Sequence, residues 1–249
     1  MPLPLILGGL AAIAGVGASV HGVVKIKEAN DIRKAAQERH SQNLKRLEQE
    51  SDKTNREMNS LETLKLSILK GFDQFSEVFE RIHNRPEFEE LSHEKFQNSK
   101  NDRREEAKKA FASAGVLWDD SVWAQMLRAE EEINRICNYL KELAGAAHQY
   151  KGMLLKVQAL YDSHLRKMQH LVIWDGRTDW NTYMPGEQMM IENTVLLVGL
   201  LYNMCKVQLV LKTDREDDVI RVNHAVIDKN VTDARHIMDE IIERESIIS

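Results

Sequence analysis

The stretch INRICNYLKELAGAAHQYKGMLLKVQALYDSHLRKMQHLV, Ile133 to Val172, decides the fold. Its apolar residues Ile133, Ile136, Cys137, Leu140, Ala144, Ala147, Tyr150, Leu154, Val157, Tyr161, Leu165, Met168 and Val172 advance mostly by threes and fours, which gathers them on one helix face. Val122 and Met126 carry the spacing back toward Asp119 and Asp120, two carboxylates suited to cap a helix start. The pattern predicts one amphipathic helix of about 50 residues.

Toward the N-terminus lies a pattern of matching length. From Glu28 to His83 there is no proline and one glycine, Gly71, and the second half carries the stripe Leu61, Leu64, Ile68, Phe72, Phe75, Phe79 and Ile82. The first half is far more polar. A helix of about 55 residues is on the order of 80 Å long, which implies an elongated bundle or coiled coil. Asn84, Arg85 and Pro86 end it, because the residue before a proline is pushed out of the helical region. Residues 84–118 then read as a connection, highly charged at first and small and apolar from Ala107 to Leu117. Two long helices joined in this way are expected to pack antiparallel.

Toward the C-terminus, residues 174–187 break the pattern with Asp175, Gly176, Asn181, Pro185 and Gly186, and they concentrate Trp174, Trp180 and Tyr183. Such aromatics mark a membrane interface or cap the end of a bundle, and the second reading is preferred. Thr194 to Leu211 is apolar, but its charge-free core, Asn193 to Cys205, has only 13 residues, which suits a buried core helix rather than a span. Thr213 to Asp218 reads as an acidic turn. A last amphipathic helix follows through Val219, Ile220, Val222, Val226, Ile227, Ala234, Ile237, Met238, Ile241 and Ile242. The fold class is therefore all-α: an elongated antiparallel bundle over residues 25–249, preceded by an apolar helix over residues 1–24.

That first segment is the chain's most distinctive composition. Met1 to Val24 contains no Asp, Glu, Lys or Arg in a protein that is 29% charged. Gly8, Ala11, Gly15, Ala18 and Gly22 alternate by three and four, which gives one nearly bare helix face, the kind that lets helices approach closely in lipid. Pro2 to Val24 gives 23 residues, against the roughly 20 that cross a bilayer core. Lys25, Lys27, Arg33 and Lys34 follow, so a spanning segment would place the bulk of the chain on the cytoplasmic side. A helix buried in the protein's own core is the other reading. A cleaved export signal fits poorly, since no Lys or Arg precedes the apolar run.

Chemistry is harder to find. Glu80 with His83, and Asp233 with His236, have the spacing of paired metal ligands on a helix, but charged solvated surface explains them better. There is no phosphate loop, nucleophile elbow or Cys-x-x-Cys. Cys137 and Cys205 fall in apolar helical patterns and are expected to be buried free thiols. No catalytic residue, metal or cofactor is expected, and the protein is read as a non-enzyme. The formal net charge is −5, and no basic patch with interleaved aromatics argues for nucleic acid.

Several runs resemble a bacterial group of long helical glycine-zipper proteins that carry the loose label "chemotaxis protein". They are Pro4-Leu-Ile-Leu-Gly-Gly9, Ala14-Gly-Val-Gly17, His21-Gly22, Lys27-Glu-Ala-Asn30, Ile68 to Glu80, Arg85-Pro-Glu-Phe88 and Ala129-Glu-Glu-Glu-Ile-Asn134 with Ile136 and Cys137. That group looks as if it holds a long Gly/Ala-rich insertion where Leu117 and Trp118 are adjacent here, so no role of the insertion carries over. The architecture also resembles α-helical pore-forming toxins of the haemolysin E type. Together these readings predict a non-enzymatic helical protein that meets a lipid bilayer and self-associates to permeabilise or remodel it. The alternative is a coiled-coil scaffold or adaptor, soluble or membrane-anchored, with a protein partner and no pore activity. The expected location is at a membrane, or in solution with a membrane-inserting form.

Overall fold

A computed structural model of the protein describes residues 20–88, 130–211 and 221–248. The chain divides into two compact units, residues 1–45 and 46–249. In the first, the described backbone is the beginning of helix α1, Val20–Phe79. Its described side chains are mostly exposed, Lys34, Ala35, Glu38 and Arg39 among them, as the polar composition requires.

The second unit is all-α, as expected. It holds the remainder of α1, then α2 (Glu130–Gln169), α3 (Pro185–Cys205) and α4 (His224–Ile248). The one short sheet pairs β1 (Val210–Leu211) antiparallel with β2 (Arg221–Val222). Asp119 and Asp120, the expected caps of the second long helix, lie outside the described residues. So does most of the 84–118 connection.

The apolar stripes do what their spacing predicts. Leu61, Ile68, Phe72 and Phe75 of α1, Ile82 just past it, and Leu143, Tyr150, Leu154, Val157 and Met168 of α2 are all buried in one core with α3 and α4. Leu47, Ile133, Cys137 and Leu140 form a smaller cluster further along the same two helices.

The direction of packing differs from the expectation. Arg46 bonds to Asn134, Thr54 Oγ1 lies 2.9 Å from Leu140 O, Lys151 Nζ donates to Glu57 at 2.7 Å, and Phe72 meets Tyr161 edge to face. Residue numbers rise together in both helices, so α1 and α2 run parallel. An amphipathic face specifies that a helix packs, but not which way it points. The antiparallel neighbour of both is α3: Tyr150 OH donates to Met204 O at 2.8 Å and Lys65 Nζ to Val207 O at 3.1 Å near its C-terminal end. Helix α4 runs parallel to α2, joined to it by His224–Glu142 at its start and His164–Glu245 at its end.

Helix α3 begins nine residues before the expected Thr194. Pro185 occupies the first helical position, where its missing N–H costs nothing, and Glu187 Oε2 accepts from Met184 N at 2.8 Å. The helix stops at Cys205, so the apolar run from Val207 to Leu211 leaves it and enters β1. Its partner corrects a second expectation. Arg221 and Val222 are strand, not the start of the last helix; Val222 faces inward and Asn223 N donates to Leu209 O at 2.8 Å. A short apolar run fits a strand as well as a helix.

Two polar groups are enclosed between helices. Lys65 and Glu62 are both buried and pair at 3.2 Å, with Lys65 also capping the chain just beyond α3. Phe72→Ala should therefore lower unfolding stability by about 3–5 kcal/mol through the cavity it leaves. Lys65→Ala should cost about 3–5 kcal/mol by stranding Glu62, whereas the Glu62→Leu/Lys65→Leu double variant should lose less. Urea unfolding midpoints at constant slope measure all three.

Candidate functional site

Of the small-residue face, Gly8, Ala11, Gly15 and Ala18 lie outside the described residues. Gly22 falls within the described backbone of α1.

The three aromatics between α2 and α3 are described, and they divide. Trp180 and Tyr183 are buried, while Trp174 is 81% exposed. The buried pair close the end of the core through a run of rings: Phe75 stacks on Phe79 at 5.1 Å, Phe79 meets Phe88 at 5.7 Å, and Phe88, Trp180 and Tyr183 follow at 6.0 Å steps. Trp180 and Tyr183 thus cover this end of the core, and Trp174 does not.

Backbone pairing fixes this cap. His83 N donates to Thr178 O at 2.7 Å and Trp180 N donates back to His83 O at 3.0 Å. Asn84 turns the chain at a φ of 58°, a conformation asparagine tolerates better than most residues, and its amide donates to Asp179 Oδ1 at 3.1 Å. That bond, with a second from Asn181 N, holds the Asp179 carboxyl below its ordinary value. Helix α2 ends in a π-turn, His170–Trp174, and Gly176 supplies the positive φ that follows. The widened turn leaves Ile173 and Trp174 outside the core.

Arg177 organises the loop. Its guanidinium forks onto both oxygens of Glu187, donates to Thr182 O at 2.7 Å, and lies 5.4 Å from the Tyr183 ring centre. Tyr183 OH closes the arrangement by donating to Arg177 O at 2.7 Å. Burial raises the Glu187 carboxyl, but the bonds from Arg177 and Met184 N outweigh it and hold the group below its ordinary value.

Beside this loop is a cleft of about 490 Å³, lined by Lys167, His170, Asp175, Glu187, Met190 and Glu245 among others. His170 faces Asp175 at 3.3 Å, and Lys167 shares the lining with Glu187 and Glu245. Nothing in it pairs a nucleophile with a base. Among the described residues no three His, Cys, Asp or Glu side chains are grouped to hold a metal. Glu80, His83, Asp233 and His236 are all exposed, and His236 faces Glu240 at 3.4 Å instead. Both cysteines are buried and free. Cys205 sits against Lys65 O, and burial pushes its thiol up to about 12.

One polar group escaped the sequence reading. His164 of α2, Asn193 of α3 and Glu245 of α4 meet at the edge of the cleft, with His164 and Asn193 buried. The available signal was their placement: His164 adjoins Leu165 and stands four residues before Met168 on the buried face, and Asn193 opens the charge-free core of the apolar run.

No known protein family, curated protein or solved structure matches this chain.

Cys205 should resist thiol reagents in the folded protein at pH 8 and react on unfolding, at the rate of a free thiol. Because the folded thiol holds its proton to higher pH than the unfolded one, its contribution to stability is present below an ordinary thiol value of about 8.5 and lost as pH rises toward about 12. A Cys205→Ala variant should remove that alkaline component, read as the pH dependence of the urea midpoint.

Proposed function

We propose that this protein is a non-enzymatic helical bundle that meets a lipid bilayer through Met1–Val24. The observation that carries the reading is that segment's composition: 24 residues without Asp, Glu, Lys or Arg, with Gly8, Ala11, Gly15, Ala18 and Gly22 along one helical face. Small residues at this spacing suit close helix packing in lipid, so the segment serves both insertion and self-association, and the assembled copies permeabilise or remodel the bilayer.

Two features of the bundle support the division of labour. No helix among the described residues is long and apolar enough to cross a membrane, and Met1–Val24 has a composition suited to one. The described residues of 46–249 form a core of their own, from Leu47 to Ile241. The mechanism is an exchange in which the N-terminal helix gives up its contacts in the soluble form for lipid and sister helices. The basic residues from Lys25 to Lys34 would then hold the bulk of the chain on the cytoplasmic side of the bilayer it enters.

A scaffold reading draws on the polar composition of the first half of α1, which suits a coiled-coil partner. Liposome flotation with a trapped dye separates the two. The full chain should float and release dye, and a chain lacking residues 2–24 should do neither. Flotation by neither chain favours the scaffold. Gly15→Leu should leave flotation intact and abolish cross-linkable oligomers in lipid, because the bulky side chain blocks close approach.

A further inference from the structure

The contact that fastens the end of α4 contains a proton whose place its partners fix. His164 is 1% exposed. Its Nδ1 lies 2.9 Å from the Leu160 carbonyl oxygen, which can only accept, so Nδ1 carries hydrogen. Its Nε2 lies 2.5 Å from Glu245 Oε1. With Nδ1 protonated, a neutral ring presents a bare lone pair at Nε2, and an ionised carboxylate presents lone pairs as well. The contact therefore closes only with a hydrogen between the two, as a charge-assisted bond. From α3, the buried Asn193 amide donates to the same Oε1 over 3.5 Å. Three helices meet at one carboxylate.

We propose that His164 and Glu245 form a proton-operated latch that holds the last turns of α4 against α2 and α3 and controls the wall of the adjoining cleft, to which Glu245 belongs. The closed latch holds one proton that an open pair, a neutral imidazole and an ionised carboxylate, lacks. An open pair that has given that proton to solvent must take one up again to close. Closing then weakens by about tenfold for each further pH unit.

Other charged groups line the same cleft: Lys167 and His170 from α2, Asp175 from the loop and Glu187 from α3, with none from α1. Arg177 holds Glu187 from the loop side. His170 is an exposed imidazole on the same cleft, so the test turns on variants as well as on a pH profile.

The latch is independent of the membrane reading. Hydrogen exchange of residues 239–248 in the full chain, corrected for intrinsic rates, reads the opening equilibrium from pH 6.5 to 8.5. The wild-type protein should open about tenfold more for each pH unit while α3 stays protected. Glu245→Gln should give a flat profile, since its amide donates to the neutral ring without an added proton. His170→Asn should keep the wild-type slope. A flat wild-type profile overturns the latch, as does a Glu245→Gln profile as steep as the wild type's or the loss of the slope in His170→Asn.

Discussion

A helix whose buried surface spans most of its circumference needs neighbours on several sides, and α3 is such a helix. Ile191, Val195, Leu197, Val198, Leu201 and Met204 are inaccessible, and Glu192 and Asn203 are exposed on the narrow face that remains. Three amphipathic helices supply the cover. Each of α1, α2 and α4 has one apolar stripe, and each turns it inward. The arrangement follows from burying most of the circumference of α3.

The same enclosure explains the polar contacts. A helix end inside a bundle has carbonyls that water does not reach, and these need donors from elsewhere in the protein. Tyr150 reaches Met204 O and Lys65 reaches Val207 O, so two side chains of the surrounding helices complete the end of the central one. At the opposite end, Pro185 and Glu187 satisfy the start of α3 locally. Arg177 then ties that start to the loop that precedes it.

Helix identity was legible in the sequence and helix direction was not. The stripes from Leu61 to Ile82 and from Ile133 to Val172 named their own buried faces, and the burial of Cys137 and Cys205 followed from the same spacing. Polarity between α1 and α2 depends on where the intervening chain travels, and a periodic pattern holds no information about that. Val222 failed as a helix residue because two residues of strand have no period of their own to display. Among the aromatics, composition could not separate Trp174 from Trp180: the difference arises from the π-turn, which shifts the register by a residue just before the core ends. The His164, Asn193 and Glu245 group joins three helices that are distant in sequence, so only packing could assemble it.

The parallel alignment of α1, α2 and α4 has an electrostatic consequence. Peptide dipoles in a helix leave roughly half a negative charge at its C-terminus and half a positive charge at its N-terminus. Antiparallel neighbours cancel these, but here three C-termini face the same end as a single N-terminus, that of α3, which leaves about one negative charge uncancelled. The cationic side chains of that end fall where this field favours them: Arg85 donates to Ile82 O just past α1, Arg166 and Lys167 occupy the last turn of α2, and Arg177 stands in the loop that follows. A chain that had folded with alternating helix directions would have had no such field to answer.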